Sequence, residues 1–170
     1  MSRYLWLIVL PLFFGCAKEH GSPAAELHYL ELKREGSTDL YKVKFSSNID
    51  FLNVFEKEKR PISSILRCSL GLDKVSINHD ADQYWASGLV SVTQPVPDGD
   101  AFVYSAVLMF DENLNEGRSS RMLFAEELQR ILQGKQSVPC VYTATAHGFK
   151  AYRSAAMQVP VADIFREVGI

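Results

Sequence analysis

The sequence predicts an α+β domain: a mainly antiparallel β-sheet or sandwich, with one main helix packed on it and a short C-terminal helix. Three observations carry this. Two early runs alternate apolar and polar residues with period two. One later run is apolar on both parities, and one long stretch repeats its apolar residues at helical spacing.

In 26–34, Leu30 and Leu32 are expected on one face, with Glu31 and Lys33 on the other. In 39–46, Tyr41, Val43 and Phe45 oppose Lys42 and Lys44, and Glu35-Gly36-Ser37-Thr38 separates the two runs. That is the pattern of a hairpin wet on one face. Residues 51–55 and 62–70 are apolar but too short to assign by period, and 74–78 reads as a short strand. In 83–94, Leu89, Val90, Val92 and Thr93 favour strand and Gly88 suggests a bulge, while Pro95, Pro97, Asp98 and Gly99 read as a turn.

The run 101–110 places Phe102, Tyr104 and Leu108 against Val103, Val107 and Met109, as a central strand covered on both sides would. A break at 111–117 precedes the helix expected over 118–132. Its stripe is Phe124, Ala125, Leu128, Ile131 and Leu132, with Ser119 or Ser120 as cap and Gly134 as stop. Residues 138–149 return to strand, and 151–159 pair back across Gly148. Pro160 opens the short C-terminal helix carrying Val161, Ile164, Phe165 and Val168.

At 170 residues, 47% hydrophobic and 22% charged, the chain is one globular domain rather than a disordered one. The formal charge is −2, and loss of residues 1–15, which carry only Arg3, would make it −3. A mildly acidic chain has no bulk electrostatic reason to seek nucleic acid or anionic lipid. The alternating run Glu56-Lys57-Glu58-Lys59-Arg60 reads as a solvated loop.

The N-terminus carries the most specific signal. Arg3 gives a positive start, and the uncharged stretch from Tyr4 to Ala17 is rich in Leu, Ile, Val, Phe and Trp6. It is shorter than the roughly 20 residues a spanning helix needs and suits an export signal. Leu12-Phe13-Phe14-Gly15-Cys16 resembles the lipobox of bacterial lipoproteins, matching it at Gly15 and Cys16 and departing from it at Phe13 and Phe14. The resemblance implies that residues 1–15 are a signal peptide and that Cys16 is acylated and anchors the chain in an envelope membrane. With Ala17 after the cysteine, it implies the outer membrane, facing the periplasm, if the host is Gram-negative. Ordinary secretion is the alternative, with Gly15 and Ala17 as small residues before Lys18. Residues 16–25 then form the lipidated terminus and a polar tether, and 26–170 the globular domain.

Export also bears on the other two cysteines. Cys68 and Cys140 remain as a pair that an oxidising compartment lets bridge, across 72 residues of sequence. Two independent buried thiols are the alternative.

Catalytic signatures are sparse. No G-x-S-x-G, S-x-x-K, H-E-x-x-H, C-x-x-C or glycine-rich phosphate loop occurs. His79 stands beside Asp80 and Asp82, the one cluster of a base with carboxylates, and His147 lies near a strand end. His20 falls in the tether and His28 at a strand start. Either His79 or His147 could serve an envelope hydrolase, but a polar turn explains the His79 cluster better. Asn78-x-Asp80-x-Asp82 and Asp111-x-Asn113-x-Asn115 have oxygen ligands at calcium-loop spacing, yet lack the glycine and distal glutamate such loops require. No metal or cofactor is expected. Tyr84 and Trp85 are the candidate binding residues, since such aromatics recur at interface hot spots; filling a core edge is their plainer role. The function expected is a membrane-anchored, non-enzymatic binding or accessory protein with an envelope or periplasmic protein partner. An immunity-type lipoprotein that neutralises a periplasm-acting effector is the sharper alternative.

Overall fold

The computed structural model describes residues 17–55, 59–75, 82–98, 101–115 and 117–170, with 92–98 as backbone. Among the described residues, nine strands form one mostly antiparallel sheet that curls into a half-barrel carrying two short helices. The strands are β1 (Leu27–Arg34), β2 (Tyr41–Ser47), β3 (Ser63–Ser69), β4 (Tyr84–Asp98), β5 (Ala101–Leu114), β6 (Ser119–Met122), β7 (Ser137–Thr145), β8 (Tyr152–Arg153) and β9 (Met157–Pro160). Their order is β1-β2-β5-β4-β3-β7-β8, with β6 on β5 and β9 on β7. Helices α1 (Ala125–Leu132) and α2 (Val161–Val168) have eight residues each, so neither dominates.

The expected first hairpin forms, with an internal correction. The β1–β2 register skips a residue between Tyr29 and Glu31, so Leu30 is the bulged residue. A bulge inverts the parity of the residues beyond it. Leu27, Tyr29 and Leu32 therefore face the core while Leu30 stands 49% exposed. On the outer face Glu31 pairs with Lys33 at 2.7 Å and Lys44 at 2.6 Å.

The inner face runs continuously across the sheet through Val43, Phe45, Tyr104, Ala106, Leu108, Leu66 and Tyr142. At one end a 3-10 turn, Phe51–Asn53, plugs the curl. Asp50 caps it by accepting from the Leu52 N–H, and the Phe51 ring lies parallel to Tyr142 with centroids 3.7 Å apart. Helix α2 spans the opening between the first and last strands. The Tyr29 hydroxyl donates to Asp163 at 2.6 Å, and the Arg34 N–H donates to Glu167 at 3.0 Å. Gly169, at φ 88°, ends α2 and donates its N–H to the Phe165 carbonyl.

Five further expectations need correcting. Strand β5 is fully buried on one side, at Tyr104, Ala106, Leu108 and Phe110, and only partly covered on the other, where Val103 and Val107 are half-buried and Met109 is 37% exposed. The expected turn at Pro95 and Pro97 is part of β4, which continues to Asp98 past a register irregularity between Ser91 and Val96. Such an irregularity is where a strand tolerates prolines, which cannot donate to the ladder. The helix expected from 118 starts only at Ala125, because Ser119–Met122 pairs with β5 as β6 through a tight turn at Asn115 (φ 51°) and Gly117 (φ 82°). Ser119 and Ser120 thus serve a strand and not a helix cap. No register shift occurs at Gly88. A Cβ built there would lie 1.9 Å from the Val107 carbonyl oxygen, so glycine marks a close approach of two central strands. Residues 74 and 75 are not strand, and 76–78 lie outside the described residues.

The segment expected as a tether is held against the body from Lys18 onward. Lys18 bridges to Phe149, donating its N–H to the Gly148 carbonyl and accepting from the Lys150 N–H, both at 2.9 Å. The Tyr152 hydroxyl then donates to the Pro23 carbonyl and accepts from the buried Ala25 N–H. Polar composition alone cannot reveal such pinning, because the bonds are made by the backbone and by a tyrosine 127 residues from Ala25.

Candidate functional site

Cys68 and Cys140 form a disulfide between β3 and β7. They are directly paired in register, both buried, with Cα atoms 4.0 Å apart. The bridge lies within the core and contributes stability rather than chemistry. Cys16 lies outside the described residues, as do His79 and Asp80.

The structure separates Tyr84 from Trp85. Successive strand residues point to opposite faces, so Tyr84 packs against the core while Trp85 lies half-buried on the outer face. The Arg67 guanidinium sits 4.7 Å from the Trp85 ring centroid, a cation–π contact. The indole N–H donates to Asn113 Oδ1 at 3.0 Å, and the Asn113 amide donates to the Asp82 carbonyl at 2.7 Å. Asp82 and Asn113, one residue from each stretch with calcium-like spacing, thus meet here. Asn113, however, spends its side chain on Trp85 and Asp82, and Asn115 bonds Ser119. Among the described residues no group of three His, Cys, Asp or Glu side chains is placed to hold a metal ion.

Two carboxylates beside this cluster are buried. Asp82 is 1% exposed and Asp111, opposite Trp85 in register, is 2% exposed. Both oxygens of Asp82 and Oδ2 of Asp111 have no hydrogen-bond partner among the described residues. Burial pushes the Asp111 carboxyl above its ordinary range.

A second feature lies at the end of the half-barrel opposite the Phe51 plug. A surface cleft of about 310 Å³ is lined by Arg34, Asp39, Tyr41, Leu123, Phe124 and Glu126, among others. A neighbouring depression of about 440 Å³ runs along α1 past Arg130 to Phe165. Arg34 donates to Asp39 at 2.6 Å and to the Thr38 carbonyl at 2.6 Å, which fixes one wall. The opposite rim is Phe124, which is 68% exposed and occupies the N-cap of α1 with φ −88° and ψ 163°. A phenylalanine cannot accept the orphan N–H groups of a first turn. Glu127 compensates in part, accepting from the Phe124 N–H at 3.1 Å and from Arg121 at 2.7 Å and 2.9 Å. The Arg121 guanidinium holds the Glu127 carboxyl down at about 2.

Phe124 is the surface residue that the helical pattern misplaces, since its hydrophobicity assigns it to the buried stripe. Once the helix starts at Ala125, only Leu128 and Leu132 are fully buried. The signal that could have found it is local, since a large aromatic one residue ahead of the acidic pair Glu126-Glu127 occupies a position where Ser, Thr, Asp or Asn is favoured. The histidines offer less. His28 is exposed on edge strand β1 and His147 in the turn after β7, and among the described residues neither cleft is lined by a histidine. What the arrangement offers chemically is an apolar knob flanked by charges, suited to docking another surface. Comparison with known proteins returned no matching family model, no matching curated protein and no matching solved structure.

Proposed function

We propose that this chain is an envelope lipoprotein, anchored through an acylated Cys16, that acts as a non-enzymatic binding or accessory protein for another envelope or periplasmic protein. The observation behind the binding role is the exposed Phe124 on the rim of a charged cleft. An exposed aromatic at a helix N-cap serves neither the core nor the cap, and aromatic anchors ringed by polar groups carry much of the energy of protein interfaces. The anchor rests on the resemblance of Gly15-Cys16 and the preceding apolar run to a lipobox.

In-cell crosslinking followed by affinity purification and mass spectrometry tests this, comparing wild type, Cys16→Ser and Phe124→Asp. The expected result is one stoichiometric protein partner in the wild type, depleted in Phe124→Asp although that variant folds. Absence of any partner in the wild type would refute the binding role. A partner retained undiminished by Phe124→Asp would move the interface elsewhere.

A further inference from the structure

We propose that the end of the half-barrel bearing the turn at 147–150 rests on the headgroup region of an anionic phospholipid leaflet, so that the Phe124 cleft points away from the membrane. This rests on the acylation of Cys16.

The argument begins with chain length. Cys16 precedes Lys18 by two residues, and two residues of extended chain reach about 7 Å. Lys18 is not the start of a loose leash, because both its N–H and its carbonyl are bonded to the 148–150 backbone. Acyl chains on Cys16 therefore bring the 147–150 turn to the headgroups themselves. The body has no slack in which to stand off.

The surface at that end fits such a neighbour. Ile62 is 73% exposed, and its N–H is bonded to Thr145, the last residue of β7. The half-buried Phe149 ring has Lys18 at 5.9 Å and Lys59 at 5.3 Å over it, while Phe55 packs against it at 5.5 Å. Arg60 and Lys150 are also exposed there; the opposing acids at this end are Glu19, paired to Lys150, and the exposed Glu26 just before β1, and in sequence Lys59 and Arg60 follow Glu56 and Glu58. Asp50 lies further in, within the cap of the 3-10 turn. Basic side chains over an aromatic ring, beside an exposed aliphatic residue, are the composition that contacts anionic headgroups. The orientation also places the cleft usefully. Strands β2 and β3 run from this end toward Tyr41 and Leu70, seven residues each, so the far end stands about 20 Å higher at ordinary strand rise.

The test uses the full chain, processed in cells, purified in detergent and reconstituted into vesicles of phosphatidylethanolamine and phosphatidylglycerol. Without reductant, so that the Cys68–Cys140 bridge stays closed, an environment-sensitive fluorophore is attached at Ile62→Cys or at Leu72→Cys, the latter at the far end. Quenching by spin-labelled lipid is read for each. The expected result is severalfold stronger quenching at position 62 than at 72, reduced by Lys59→Glu with Arg60→Glu and by phosphatidylcholine alone. Intact mass of the same sample separates the two claims. Acyl mass on Cys16 with equal quenching at both positions would overturn the orientation and leave the lipoprotein reading standing. A mature chain without acyl mass would remove the lipoprotein reading and this inference with it.

Discussion

Gly88→Ala is the sharpest test of how this sheet curls. A Cβ at position 88 would lie 1.9 Å from the Val107 carbonyl oxygen and 2.6 Å from its carbon, both backbone atoms of the neighbouring central strand. Separations below 3.0 Å essentially never occur for a Cβ, so β4 and β5 would have to part by about 1 Å at the middle of the sheet. Overpacking in a core costs about 1–3 kcal/mol, and a backbone obstacle that no rotamer change relieves belongs at the upper end, about 3 kcal/mol. Urea unfolding of the oxidised protein, followed by Trp85 fluorescence, reads this directly. With a slope of about 2 kcal/mol/M, the midpoint falls by roughly 1.5 M. Gly71→Ala is the matched control, since its Cβ would meet only Tyr84 Cδ2 at 3.7 Å, an ordinary contact. Its midpoint should move by less than about 0.3 M, in line with the small effect of a compatible Gly→Ala exchange. A Gly88→Ala midpoint within that same margin would refute the claim that the two strands approach too closely for a side chain.

Replacing both Cys68 and Cys140 by serine frees a 72-residue loop in the unfolded chain and should cost up to about 4 kcal/mol; a urea midpoint unchanged from the oxidised wild type would contradict this. Asp111→Asn should raise thermal stability at neutral pH, because burial raises the native carboxyl above its unfolded value. The native state then binds protons more readily than the unfolded one, so the cost of the charged Asp111 is full above its native pKa. That cost fades as pH falls toward the unfolded value of about 3.9. The advantage of Asp111→Asn should therefore shrink on acidification, and an advantage that grew instead would reverse the assigned cause. Phe124→Asp supplies the missing N-cap acceptor of α1 and should gain about 1 kcal/mol in the same unfolding assay, while depleting the crosslinked partner. A loss of stability would mean that Phe124 packs more than its exposure indicates.

Legibility in the sequence tracks how local the determining physics is. The β1–β2 hairpin is readable because alternation in 39–46 is strict, and Tyr41, Val43 and Phe45 are indeed buried. Leu30 is not, because one extra residue in a strand inverts the pattern after it, and the bulge is settled by the partner strand. The stretch from 118 misleads for a related reason. Arg118 to Leu132 satisfies a helical stripe, yet Asn115 and Gly117 reverse the chain tightly enough for β6 to capture four backbone pairings on β5 first. Cysteine arithmetic makes the disulfide one of two readings of the Cys68 and Cys140 pair, and the fold supplies both the choice and the cross-strand position.

The candidate surfaces divide in the same way. Trp85 stands out by residue type, but its environment depends on Arg67, Asp111 and Asn113, which come from two other strands and which no spacing along the chain connects. Phe124 is readable in principle and easily misread, because its hydrophobicity fits the stripe while its position fits a cap. Two local rules disagree there, and the backbone sides with the cap: Phe124 has extended dihedrals and Ala125 begins the helix. A favourable cap residue at that position would stabilise α1, and the chain instead exposes an aromatic ring to solvent. Where stability and sequence part company in this way, at the rim of a cleft and at the end of the barrel farthest from Lys18, the residue is the first to test for what the surface binds.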